Sequence, residues 1–111
     1  MVVRDSLMRE LIVVVKPFKA QAVLEAIADI ETRGCIVREV KGFGRQKTYL
    51  EKYLGSEYET AFLPKVEFTV WVDDELRDEV VQRITRAART GRIGDGKIFI
   101  LETAWPEAIE F

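Results

Sequence analysis

A chain of 111 residues, 48% hydrophobic and 32% charged, has material for one core and one domain, with the composition of an ordinary globular protein. Its 17 basic and 19 acidic side chains leave a net charge of −2, which excludes a general pull toward nucleic acid or anionic membrane. A single cysteine cannot close an internal disulfide, and no apolar run reaches the length of a signal segment or a membrane span, so the expectation is a cytoplasmic protein with no direct membrane insertion.

Residues 1–9 carry no clear period and read as a leader. Leu11 to Val15 (LIVVV) is a β-branched run stopped by Pro17, the pattern of a buried central strand. From Lys19 the period becomes helical. Ala22, Val23, Ala26, Ile27 and Ile30 fall on one face, Gln21, Glu25, Asp29 and Arg33 on the other, and Gly34 is placed to end the helix. Cys35 to Phe43 is strand-like with imperfect alternation. From Lys41 to Lys65 the chain then mixes Tyr49, Tyr53 and Tyr58 with charges, Gly55 and Ser56, and holds no fixed period. A loop this long in a small domain is usually functional, which suggests a binding or switching element.

Beyond Pro64, Val66, Phe68, Val70 and Val72 alternate with Glu67, Thr69, Trp71 and Asp73, the cleanest period-two pattern in the chain. Asp73 or Asp74 is placed to cap the next helix, whose apolar stripe is Leu76, Val80, Val81, Ile84, Ala87 and Ala88. Arg83, Arg86 and Arg89 gather toward its end. The segment TGRIGDGK (90–97) follows, then a short apolar strand, Ile98 to Leu101, and the ending ETAWPEAIEF. The order β-α-β, loop, β-α-β predicts an α+β, ferredoxin-like sandwich with one antiparallel sheet and both helices on one face. Trp71 would share the open face with Glu67 and Thr69, and a second copy covering that face would explain an aromatic there.

Three stretches could carry chemistry. In TGRIGDGK three glycines permit positive φ and close backbone approach, so that successive N–H groups can point at one anion, with Arg92 and Lys97 adding charge. By spacing alone a plain glycine-rich connector is an equal reading. No Ser or Thr follows Lys97, so this is not a Walker motif. The second stretch is Gly42, Gly44, Arg45, Gln46 and Lys47 at the root of the long loop, an anion pocket or, taken alone, more simply a strand end with solvated charges. The third is Tyr53 to Tyr58 at the loop tip, where tyrosines suit partner contact or modification, or else pack back onto the domain.

Taken together, these stretches resemble the PII signal-transduction family, the nitrogen regulatory proteins. The resemblance is carried by Val15 to Lys19 (VKPFK), Glu39 to Lys47 (EVKGFGRQK), Gly55 to Tyr58 (GSEY), Phe62 to Lys65 (FLPK) and Thr90 to Lys97, and runs without gaps from about Leu11 to Thr103. It implies a homotrimer that binds ATP or ADP, with AMP a further candidate, in the clefts between subunits. It divides the chain into a leader (1–9), a T-loop (44–64), a B-loop (89–97) and a C-terminal segment (104–111). By the same resemblance Arg45, Thr90, Gly91, Arg92, Gly94, Asp95, Gly96 and Lys97 lie on the phosphate side, and Gly42 near the base. Gln46 matches the glutamine that joins Mg-ATP in binding 2-oxoglutarate, with the Mg ion held through ATP. Lys65 and Lys16 match the lysines near that effector, and a dicarboxylate bridging a metal and a lysine is a strong, charge-assisted arrangement. Tyr58 and Ser56 match positions modified in bacterial and cyanobacterial members.

The departures point the other way. The C-terminal segment AWPEAIEF has Glu107 and Glu110 where the family carries phosphate-binding arginines. Ile36 replaces a threonine near the adenine, and Thr69 replaces a buried glutamate. Within the loop, Thr48 to Leu54 departs from the family's usual run. Fewer cations and added carboxylates should weaken ATP more than ADP or AMP. No histidine and no nucleophile–base pair is present, so catalysis is not expected. The leading expectation is a non-enzymatic regulator in which ligand binding reshapes the T-loop to engage a target protein, a transporter or a metabolic enzyme. The alternative is a divergent sensor of ADP or AMP, tied to a membrane transporter and indifferent to 2-oxoglutarate. An RNA-binding module of the same topology would need aromatics and basic charge on its central strands, and the aliphatic first strand argues against it.

Overall fold

The computed structural model describes residues 7–42, 63–92, 94–103 and 109–111. Four strands, β1 (Met8–Val15), β2 (Gly34–Gly42), β3 (Leu63–Asp73) and β4 (Gly96–Thr103), form one sheet in the order β2-β3-β1-β4. Every neighbouring pair is antiparallel. Helices α1 (Ala20–Ile27) and α2 (Arg77–Ala88) complete the ferredoxin-like β-α-β-β-α-β order.

The strand alternation decides where the core sits. Leu11, Val13 and Val15 of β1 and Val66, Phe68, Val70 and Val72 of β3 are buried, as are Val23, Ile27, Val80, Ile84 and Ala88 from the helices. Each fully buried large side chain contributes about 1.5–3 kcal/mol through burial. The two predicted helix stripes are therefore the two faces that meet the sheet, and Ile30, Leu76, Val81 and Ala87 pack at their margins.

Element boundaries differ from the sequence expectations, for local reasons. β1 begins at Met8, so Met8 and Arg9 belong to the strand and not to a leader. They pair with Asp73 and Val72 on one side and with Thr103 and Glu102 on the other. Arg9 also bridges Asp74 at 2.6 Å and Glu102 at 3.1 Å, cross-strand contacts that a hydrophobic pattern cannot register. α1 stops at Ile27, well short of Gly34. The apolar stripe continues to Ile30 because a looser turn carries it, with the Ile30 N–H donating to the Ile27 carbonyl at 3.1 Å. Gly34 is the first residue of β2, where an added Cβ would lie 3.2 Å from the Trp71 ring. β3 starts at Leu63, taking two residues from the predicted 44–64 loop, and β4 runs from Gly96 to Thr103, longer than its apolar run at both ends.

Neither aspartate expected to cap the second helix does so. Asp73 makes no capping bond and instead accepts from Arg33 at 3.2 and 3.3 Å, while Asp74 accepts from Arg9. A 3₁₀ turn over Asp74–Leu76 leads into α2. Asp74, Glu75, Asp78 and Glu79 still place negative charge in the opening turns, where the helix dipole favours it.

The face away from the helices is layered by the register. One row reads Phe99, Ile12, Thr69 and Ile36, and the next reads Leu101, Glu10, Trp71 and Gly34. Trp71 is half-buried and satisfied within the chain, its Nε1 donating to Glu10 at 2.8 Å. The apolar exposure lies beside it: Phe99 is 53% exposed, Ile36 43% and Leu101 42%.

Candidate functional site

The register brings four chain ends to one edge of the sheet. Val15 pairs with both Gly96 and Val66, Glu39 with Val66, and Gly42 with Leu63. At this edge β1 turns into Lys16 and Pro17, the loop after α2 enters β4, and the chain from β2 leaves for residues 43–62. Residues as far apart in sequence as Lys16 and Asp95, 79 positions, become neighbours here.

The 90–97 loop is shaped by its glycines. Gly91 and Gly94 have φ of 86° and 89°, the left-handed region that a Cβ disfavours. Gly96 enters the sheet so close to β1 that a Cβ would sit 2.8 Å from the Val14 carbonyl oxygen. Within this frame successive amides do converge on one anion, as the glycine spacing suggested. That anion is the chain's own Asp95. Its Oδ2 accepts from the backbone N–H groups of Thr90 at 2.6 Å, Gly91 at 2.9 Å and Arg92 at 3.3 Å. Its Oδ1 accepts from the Thr90 hydroxyl and from Lys16 Nζ at 3.3 Å. The Thr90 hydroxyl and amide, more than Lys16, hold the Asp95 carboxyl far below the usual carboxylate range.

Two lysines meet the loop. Lys16 reaches Asp95 from the end of β1, and Lys65 reaches the Gly94 carbonyl at 3.4 Å from the start of β3. Partial burial, reinforced by the charge of Lys16, lowers the Lys65 pKa, with Asp95 offsetting part of the effect. A cleft of about 430 Å³ opens beside Lys65, lined by residues that include Pro17, Glu39, Val40, Lys41 and Pro64. Gly42, half-buried, follows Lys41 of the lining, and a Cβ added there would lie 3.9 Å from Lys65 Cγ. Lys97 and Arg92 are exposed at the loop. Lys16, Lys65, Lys41, Lys97 and Arg92 against Asp95 and Glu39 leave the edge electropositive, so it suits a small, multiply charged anion.

Of the residues singled out from sequence, Lys16, Gly42, Lys65, Thr90, Gly91, Arg92, Gly94, Asp95, Gly96 and Lys97 thus gather at one edge. Arg45, Gln46, Ser56 and Tyr58 lie outside the described residues, as does most of the 104–111 segment. Its last residues are elsewhere in the same chain: the charge of Glu110 reaches Arg33, near the start of β2 and the far end of the sheet. Asp95, a phosphate-side residue by the family resemblance, has its carboxylate turned onto the amides of its own loop. The sequence held one sign of this, an acceptor carboxylate five residues after Thr90 across two glycines. Its two carboxylate oxygens are committed to five donors. No group of three or more potential metal ligands occurs among the described residues.

Comparison with known proteins bears on the whole arrangement. The profile of the family described as nitrogen regulatory protein P-II matches residues 8–106. The chain is 50% identical over 95 residues to the nitrogen regulatory protein GlnK of Escherichia coli strain K12, covering 86% of this chain and 85% of that protein. It is 48% identical over 97 residues to nitrogen regulatory protein P-II 1 of the same strain, covering 87% of each. Among solved structures it is similar to Arabidopsis thaliana PII bound to citrate, with a TM-score of 0.67 and 33% identity, over 93% of this chain and 83% of that one. No helix among the described residues is long and apolar enough to cross a membrane. Fold, motifs and relatives agree: the chain belongs to the nitrogen regulatory protein P-II family of signal-transduction regulators.

Proposed function

We propose that this regulator binds adenine nucleotides at the 90–97 loop and 2-oxoglutarate, together with Mg-ATP, beside Lys16, Lys65 and Gln46. Occupancy of the two sites sets the shape of the 44–64 loop, and that loop engages the target protein, a transporter or metabolic enzyme. The observation that carries the reading is the convergence of Lys16 and Lys65 on the phosphate-loop candidate, at the edge where the long loop begins. An anion bound there touches the loop root directly. The PII structure similar to this one holds citrate, a polycarboxylate, which fits an electropositive edge of this kind. In this reading three copies associate through the exposed apolar row Phe99, Ile12 and Ile36, placing each nucleotide in a cleft between subunits, and the protein works in the cytoplasm without catalysis.

The C-terminal residues favour a second reading. By the family resemblance, the sequence has Glu107 and Glu110 in the segment whose cations would complete a triphosphate site on a neighbouring copy. That would favour ADP or AMP, make 2-oxoglutarate irrelevant, and fit a sensor tied to a membrane transporter. Isothermal titration with ATP, ADP and AMP, each with and without Mg²⁺ and 2-oxoglutarate, separates the two. Effector binding only alongside Mg-ATP supports the first. Binding of ADP or AMP with no effector response supports the second, and no nucleotide binding at all defeats both.

A further inference from the structure

The 90–97 loop already contains an anion. Three consecutive amides, Thr90, Gly91 and Arg92, aim at one carboxylate oxygen of Asp95, the concave arrangement of N–H groups that binds phosphates elsewhere. The Asp95 side chain is only 14% exposed and is further tied to Lys16. An external phosphate would have to displace a carboxylate tethered within the same loop, which competes at a high effective concentration. A phosphate sharing those three amides with the bound carboxylate would instead meet like-charge repulsion at hydrogen-bond distance.

We propose that Asp95 is the loop's resident anion: it fills the nest of Thr90, Gly91 and Arg92 and confines an incoming nucleotide phosphate to the half of the loop formed by Gly94, Gly96 and Lys97. Asp95 is then a positioning residue. It touches no phosphate, but it draws the loop tight, and its bond to Lys16 sets that lysine beside Lys65. The identity of the ligand as a nucleotide rests on the function proposed above. The filled nest does not.

The test uses the full chain and backbone amide resonances, with formate and inorganic phosphate as small probes and ADP as the nucleotide. In the wild type, phosphate or ADP should shift the Gly96 and Lys97 amides, leave those of Thr90 and Gly91 nearly still, and formate should move neither pair. In Asp95→Ala the vacated nest should take formate, shifting the Thr90 and Gly91 amides downfield. ADP affinity should fall about tenfold, the loss expected when a charge-assisted network is removed, and formate should restore much of it. Asp95→Asn keeps an acceptor oxygen without the charge and should fall between the two, which keeps the comparison open should the alanine variant fail to fold. Wild-type Thr90 and Gly91 amides that follow phosphate as strongly as Gly96 and Lys97 would overturn the proposal. So would an Asp95→Ala loop that ignores formate, because a purely structural aspartate leaves no anion site behind. If the wild type binds no ADP but the formate pattern appears in the variant, the nucleotide reading fails and the resident anion stands.

Discussion

Gly96 shows how little room the site has. Its Cα faces the Val14 backbone, and a methyl group would come within 2.8 Å of a carbonyl oxygen that cannot move without parting β1 from β4. Gly96→Ala should cost about 1–3 kcal/mol, the usual range for overpacking, seen as a lower urea midpoint with unchanged slope. The two flanking charges respond to pH in the same sense, each in its own window. Lys65 has a lowered pKa, so between that value and about 10.4 the unfolded chain holds more protons and stability rises with pH. Lys16→Gln removes a repelling charge and should raise the Lys65 midpoint, whereas Asp95→Asn removes an attracting one and should lower it further. Side-chain NMR titration reads both, and shifts of the same sign would refute this account of the pair. Asp95 and Asp74 have depressed pKa values. Their stabilising contribution is complete above an unfolded value near 3.9 and is lost as pH falls toward the folded values, so Asp95→Asn should flatten the acid limb of the stability curve.

At the scale of elements, β3 is the centre of the molecule. It pairs with β1 and β2, supplies Val66, Phe68, Val70 and Val72 to the core, and near its start sends Lys65 to the Gly94 carbonyl of the 90–97 loop. Phe68 is fully buried at its midpoint, and Phe68→Ala should cost about 3–5 kcal/mol. That is a large part of the roughly 5–15 kcal/mol that holds a domain together, so chemical denaturation should find the variant close to unfolding at ordinary temperature. Much of this was legible in the sequence, because a half-buried strand and an amphipathic helix write their periods directly into the residues. The ends were less so. α1 stops early because a looser turn carries Ile30 to the core, and β1 starts early because Arg9 finds Asp74 and Glu102 across two strands. Neither cause is local in sequence.

For the whole molecule, the face opposite the helices sets the next question. Thr69 is buried within a single chain, while Phe99, Ile36 and Leu101 on the same face are half-exposed. A contiguous apolar face of this kind marks an association surface. If three copies meet there, Phe99→Asp should release monomers with intact secondary structure, read by sedimentation equilibrium. It should also weaken nucleotide binding, since a cleft between subunits disappears with the assembly. Trimers unaffected by a charge at Phe99 would place the interface elsewhere.

By itself the sequence determined the order of elements, the inward faces of strands and helices, and the membership signalled by VKPFK, EVKGFGRQK and TGRIGDGK. These are properties of neighbours along the chain: period, turn residues and short motifs. Only the tertiary structure decided what the motifs do to one another. It turned Asp95 onto the amides of its own loop, brought Lys16 and Lys65 to that loop from different strands, and took Asp73 and Asp74 from helix capping to pair them with arginines. A carboxylate takes whichever donors the fold brings within about 3 Å, and that choice is made by strand register, which no local pattern contains.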